Sequence, residues 1–103
     1  MRIRKKVKNN AQDAACLAQI ADALSHPARI AILKYVAQKN EVRNDVCNGD
    51  LVQFLDYAQA TISQHVKKLV RAELLLTKKQ DKFTIYYINR EKLRQYIRLL
   101  QEI

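Results

Sequence analysis

Residues 56–71 read Asp56-Tyr57-Ala58-Gln59-Ala60-Thr61-Ile62-Ser63-Gln64-His65-Val66-Lys67-Lys68-Leu69-Val70-Arg71. Ile62, Val66, Leu69 and Val70 recur at the 3-4 spacing of one helix face, which predicts a helix over about residues 58–73. Thr61, Gln64, His65, Lys67, Lys68 and Arg71 fall mostly on its other faces. Just upstream, Leu51, Val52 and Leu55 anchor a short helix over about residues 48–55. Asp56-Tyr57-Ala58 is then a tight link, and Asp tolerates the left-handed conformation that such links often need. Downstream the pattern changes. Residues 74–79 pair naturally with Phe83-Thr84-Ile85-Tyr86-Tyr87-Ile88, rich in β-branched and aromatic side chains, with Gln80-Asp81-Lys82 as the turn between them.

The remaining chain reads as helix. Asn10 can cap a helix over about residues 11–24, with Ala14, Leu17, Ala18, Ile20, Ala21 and Leu24 as its apolar stripe. Ser25 is a good cap for a second helix, and Pro27 suits its first turn, where no backbone N–H is needed. That helix runs to about Gln38, with Ile30, Leu33, Val36 and Ala37 inward, and residues 39–48 form a polar connection. Asn89 caps a last helix to about Glu102, carrying Leu93, Tyr96, Ile97, Leu100 and Ile103. The expected fold is mainly α with one β-hairpin, in the order helix, helix, helix, helix, hairpin, helix. A short helix joined by a tight turn to a basic helix is a helix-turn-helix, and a basic-tipped hairpin after it is a wing. Residues 1–10 form a basic N-terminal arm, and residues 11–103 form the domain.

Charge supports the same reading. The chain has 103 residues, one domain's worth, with 49% hydrophobic residues and a net charge of +9. That excess points to a polyanionic partner. Residues 1–10 hold five basic residues and no acidic one, and residues 59–82 hold six against two. Residues 11–58, by contrast, are net acidic. No apolar run is long enough for a membrane span or follows the basic start as in a signal peptide. Two cysteines make no disulfide framework, and one glycine leaves no phosphate-cradling loop. These exclusions point to a cytoplasmic protein with reduced thiols and no membrane partner.

A helix of this kind fits the major groove of double-stranded DNA, with side chains near its N-terminus at base edges. Lys78, Lys79 and Lys82 on the wing would reach flanking phosphates. Three strings now resemble the ArsR/SmtB family of winged-helix repressors, over roughly residues 13–100. Residues 24–33 resemble the family's second-helix start, L-x-x-P-x-R-x-x-I-L. Residues 59–69 resemble its recognition helix, Q-S-T-V-S-x-H-L-x-x-L, and Ile85-Tyr86-Tyr87 its second wing strand. The resemblance implies base or near-base contacts from Gln59, Thr61, Ser63, Gln64 and His65. Lys67, Lys68 and Arg71 are better placed for phosphates, which position without specifying. The chain departs from the family pattern in three places. Asp56 and Ala58 replace the usual turn Gly and cap Ser, and Ala72-Glu73-Leu74 replaces A-G-L before the wing.

The family pairs through its terminal helices, which implies a homodimer through Leu17, Ile20, Leu24, Leu93, Tyr96, Ile97 and Leu100. Its metal and metalloid sensors carry E-L-C-V-C-D-L at the third helix. Here Asp45-Val46-Cys47-Asn48-Gly49-Asp50-Leu51 keeps the first cysteine and has Gly49 for the second. Residues 89–103 lack His, Asp and Cys, so the family's last-helix zinc-type site has no ligands. Cys16 and Cys47 are the candidate sensor. They could bind a thiophilic metal or metalloid, form a redox switch, or be two small buried side chains.

The functional classes separate by DNA binding. A dimeric repressor released by an effector shows sequence preference, whereas an architectural nucleic-acid binder shows a steep salt slope without one. A protein-interaction module would bind no DNA even at low salt. No nucleophile–base set, paired carboxylates or metal cluster suggests an enzyme.

Overall fold

The computed structural model describes the backbone of residues 3–103 and the side chains from residue 11 onward. Met1 and Arg2, part of the basic arm, lie outside the described residues. Five helices and one hairpin follow one another: α1 (Ile3–Ala23), α2 (Pro27–Asn40), α3 (Asn48–Phe54), α4 (Gln59–Arg71), β1 (Leu75–Gln80), β2 (Phe83–Ile88) and α5 (Arg90–Gln101). This is the expected winged helix-turn-helix order. The first helix starts earlier than its apolar stripe suggests, and Asn10 lies inside it rather than capping it. Residues 3–10 contain no Gly or Pro, and Arg4, Lys5, Lys6 and Lys8 are good helix formers. An apolar period reports only where a helix is covered, not where it begins.

The α1–α2 elbow differs in its cap. Ser25 closes α1 instead of starting α2: its hydroxyl donates to the Asp22 carbonyl at 2.7 Å. His26 is the N-cap of α2, its Nδ1 accepting the Ala28 N–H at 3.0 Å, and Pro27 occupies the first turn. The buried side of α2 also differs. Ile30 is 41% exposed, while Ala28, Arg29, Ile32, Leu33, Tyr35 and Val36 are buried. Helices α2, α3 and α4 close around Ile32, Val36, Leu51, Ile62, Leu69 and Leu74, all with essentially no exposure. Burying Ile62, Val66 and Leu69 of α4 alone removes enough surface to stabilise the fold by several kcal/mol, at roughly 1.5–3 kcal/mol per side chain.

The link before α4 does not use the left-handed conformation expected of Asp56. Among the described non-glycine residues, only Glu73 (φ 63°) and Asp81 (φ 58°) adopt it. Glu73 follows the α4 cap, where the Leu74 N–H donates to Leu69 O and the Glu73 N–H to Val70 O, both at 2.9 Å. These two bonds make a Schellman closure, a position that favours glycine. Asp81 is in the turn of the hairpin, which joins Gln80 to Phe83 through Asp81 and Lys82 only, so Gln80 belongs to the strand.

The wing is bolted to the helices at two points. The Tyr86 N–H donates to Val46 O at 2.8 Å, and Cys47 bridges Ile85, so the end of the α2–α3 connection runs beside β2. At the last residue of α2, Asn40 Oδ1 accepts the Ile88 N–H at 2.8 Å. Helix α5 packs against α1 and buries no residue fully. Leu93 and Tyr96 rest on the core, whereas Ile97 (54%), Leu100 and Ile103 (91%) are exposed. Ile20 corrects the proposed dimer set: at 1% exposure it belongs to the protomer's own core, while Leu17 and Leu24 are half-buried. No described helix is long and apolar enough to cross a membrane.

Candidate nucleic-acid interface

Helix α4 buries Ile62, Val66 and Leu69 and turns Gln59, Gln64, Lys67, Lys68 and Arg71 outward. Thr61, Ser63 and His65 are half-buried at the edges. Lys68 and Arg71 sit in the last turn, where positive charge suits the helix dipole. No side chain caps the N-terminus at Ala58, so its N–H groups are not taken up by a cap.

The opposite edge of α4 is tied to α1 and the elbow. Gln19 Nε2 donates to Arg71 O at 3.4 Å, and Lys68 Nζ meets Asp22 Oδ2 at 3.0 Å. Arg29, only 9% exposed, donates through Nε to Ala23 O at 2.9 Å and through NH1 to His65 Nδ1 at 3.3 Å. Its NH2 lies 3.4 Å from both Asp22 O and Ser25 Oγ. The His65 ring lies 4.5 Å from that of His26 and 6.3 Å from that of Tyr57, centroid to centroid. Burial, His26 and the Arg29 charge together hold His65 below the ordinary imidazole range. Such a histidine stays neutral in the fold but protonates more readily when unfolded, so acidification through the ordinary imidazole range costs stability. Hydrogen bonding and charge from Lys68 lower the Asp22 carboxyl.

The wing contrasts with this. Lys78, Lys79 and Lys82 are exposed, and among the described residues none has an ion-pair partner. Lys78 and Lys79 are consecutive in β1 and so point to opposite faces. Between α4 and the hairpin runs an open groove of about 660 Å³, with Val66, Val70 and Tyr86 along it and Lys67, Arg71, Thr77 and Thr84 at its sides. A helix with outward amides and cations beside a cationic hairpin is a surface that favours a polyanion.

Residues 26–76 match the model of the bacterial regulatory protein, arsR family. The arsenical resistance operon repressor of Staphylococcus xylosus is 34% identical over 75 residues, which are 73% of this chain and 67% of that protein. The chain belongs to the ArsR family. A helix-turn-helix-type transcriptional regulator of Methanocaldococcus jannaschii, itself uncharacterized, is 29% identical over 86 residues, 84% of this chain and 92% of that one. In fold, an ArsR-like transcriptional regulator from Rhodococcus sp. RHA1 superposes with a TM-score of 0.75 at 22% identity, covering 86% of this chain and 79% of its own. This ArsR-family protein is therefore a DNA-binding transcriptional regulator and not an enzyme.

In this ArsR-family chain the two cysteines occupy different places. Cys47 is the N-cap of α3, its N–H donating to Asp50 Oδ2 at 2.9 Å and its thiol lying 3.5 Å from the same oxygen. Arg43 joins the group, 2.8 Å from Asp50 and 3.0 Å from Asp45. Burial raises the Asp50 carboxyl, but the Cys47 N–H, Arg43 and the Cys47 thiol together bring it below its ordinary value. These residues line an open groove of about 450 Å³ that Phe83 and Asp81 of the wing complete. Cys16 lies on α1, half-buried against the core, and both thiols are free. Among the described residues, no group of three or more His, Cys, Asp and Glu side chains could hold a metal ion.

The sequence reading of the interface passed over Asp22, Arg29 and His26. Arg29 was detectable. Positions 29, 32, 33 and 36 make an i, i+3, i+4, i+7 stripe, which places an arginine on the buried face of α2. An arginine on such a stripe needs partners, and here they are the end of α1 and His65 of α4.

Proposed function

We propose that this regulator is a homodimeric repressor that binds a palindromic double-stranded DNA operator, with α4 of each protomer in a major groove. The observation that carries the reading is α4 itself. It seats its apolar face in the core and leaves Gln59, Gln64 and Lys67 in the open beside the cationic hairpin. Gln59 and Gln64, with Thr61 and Ser63, read base edges, and Gln can pair bidentately with adenine. Lys67, Lys68 and Arg71 hold phosphates near the helix, while Lys78, Lys79 and Lys82 hold those flanking it. The dimer forms through α1 and α5, joining the exposed Ile97 and Leu100 to Leu17, Leu24, Leu93 and Tyr96. The Staphylococcus xylosus relative is a repressor.

For an effector, the donors of one chain do not fit a resident metal ion. A stable site takes three or four ligands, and among the described residues no group of three His, Cys, Asp or Glu side chains could hold an ion. The reading therefore gives the response to thiol chemistry at Cys47, which stands between α3 and the wing strand, with Cys16 as the second thiol. The test is fluorescence anisotropy of the purified protein on its own promoter fragment and on scrambled duplex. Runs under reducing conditions, under oxidising conditions and with thiophilic ions complete it. Preference for the promoter supports the reading. Equal affinity for both duplexes, with a steep salt slope, favours architectural binding instead. A response that survives Cys47→Ser removes the thiol assignment.

A further inference from the structure

The contacts between α1 and α4 follow a regular order. As the partners rise from 19 through 22 on α1 to Arg29 at the start of α2, those on α4 fall from 71 through 68 to 65. The keystone is Arg29, buried, with its guanidinium divided between the last carbonyls of α1 and His65 on α4. A guanidinium can only donate hydrogen bonds. His65 Nδ1 is therefore the acceptor, and the single proton of the neutral ring sits on Nε2. His26 uses its own Nδ1 in the same way, to accept from Ala28. The two rings pack against each other at 4.5 Å, both with the acceptor nitrogen occupied inside the protein.

We propose that His65 is a positioning residue rather than a base reader: by accepting from Arg29 it fixes the angle of the recognition helix on α1 and the α1–α2 elbow. The inference rests on α4 being the helix that enters DNA. It reassigns the one α4 side chain whose polar atom is engaged by the interior, and it brings in Arg29 as the residue through which His65 acts.

The two roles respond oppositely to acid. A histidine facing DNA gains a charge on protonation and holds the polyanion more tightly. A His65 that must accept from Arg29 loses that bond on protonation and places a second cation against the guanidinium. The groups that face it are Arg29 of α2, His26 at the α2 cap and Tyr57 of the link before α4, and the Lys68–Asp22 ion pair lies on the same α1–α4 seam. His65→Asn keeps every one of these neighbours, so comparing it with wild type isolates the effect of His65 itself.

The experiment compares specific binding by the full chain, wild type and three His65 variants, from about pH 8 to about pH 5, where histidine titrates. Asn places its amide oxygen near the position of Nδ1, and Gln places a polar group near Nε2. If His65 positions the helix, His65→Asn keeps operator affinity within about threefold, whereas His65→Gln and His65→Ala lose on the order of tenfold. Wild-type affinity then falls on acidification more steeply than that of His65→Asn. If His65→Gln is the variant that retains affinity, or if acid strengthens wild-type binding relative to His65→Asn, the outward nitrogen reads DNA and the proposal fails. Circular dichroism melts of each variant identify a loss caused by unfolding. A folded His65→Asn that still loses tenfold also overturns the proposal. Gln59→Ala is the control for the underlying reading: if it and every His65 variant bind operator like wild type, α4 is not the DNA-contacting helix.

Discussion

Two cationic regions of the molecule are built in opposite ways. Helix α4 carries Lys67, Lys68 and Arg71 on an element held from behind by Gln19, Asp22 and Arg29. The wing carries Lys78, Lys79 and Lys82 on a two-stranded hairpin, and none of the three has an ion-pair partner among the described residues. Charge that must only attract a backbone can be left on a free surface. Side chains that must meet particular base edges need a fixed frame, because an error of an ångström in the helix removes the contact. Under the proposed function, the difference gives specificity to α4 and general affinity to the hairpin.

The largest effect should come from removing the frame. Arg29→Ala leaves the Ala23 and Asp22 carbonyls without their donor and takes a buried side chain out of the elbow. A loss of about 3 kcal/mol in denaturant unfolding is expected. Operator affinity should drop with it, more than affinity for random duplex. Equal losses on the two duplexes would show that the frame does not serve specificity. Next comes Gln59→Ala, which should cost about 1–3 kcal/mol on operator and little on random DNA. If both duplexes lose alike, α4 and the wing do not divide the work. Lys78→Ala combined with Lys79→Ala should weaken both duplexes to the same degree and flatten the salt dependence by about two counterions. An unchanged slope takes the wing off the phosphates.

The smallest effect lies at the joint between the two regions. Glu73 holds a left-handed conformation that costs a non-glycine residue about 1–2 kcal/mol. Its ion pair with Lys92, 3.4 Å between an exposed carboxylate and a half-buried ammonium, returns about 1 kcal/mol at most. Glu73→Gly should therefore gain only roughly a few tenths of a kcal/mol in stability once the lost ion pair and the added freedom of the unfolded chain are counted. DNA binding should be unchanged. A shift in operator affinity would mean that the joint sets the angle of the wing.

These particulars show what a sequence of this kind reveals. The 3-4 spacing of Ile62, Val66, Leu69 and Val70 and the β-branched run from Phe83 to Ile88 placed α4 and the hairpin, because each pattern is local. The departure from A-G-L also kept its physical meaning, since Glu73 takes up the conformation that glycine would favour. The elbow was not legible in the same way. Ser25 and His26 are both plausible caps, and the choice depends on which carbonyl lies near the serine hydroxyl. Ile20 looked available for a partner because an apolar stripe does not say which neighbour covers it. Asp22 and Lys68 are 46 positions apart, and no local period records such a contact.

The ties between α1 and α4 have a consequence for the operator. If the dimer forms through α1 and α5, the two recognition helices are mounted on the same element that joins the protomers. Their separation and mutual rotation then cannot adjust independently of the dimer seam. One base pair inserted between the half-sites turns one of them by about 34–36° around the duplex axis, and only a full turn of 10–10.5 base pairs restores its facing. That full turn also moves the half-sites about 34–36 Å further apart, so binding to spacer variants should be lost at one inserted pair and not regained at ten, and any binding kept at one pair measures how compliantly α4 is mounted.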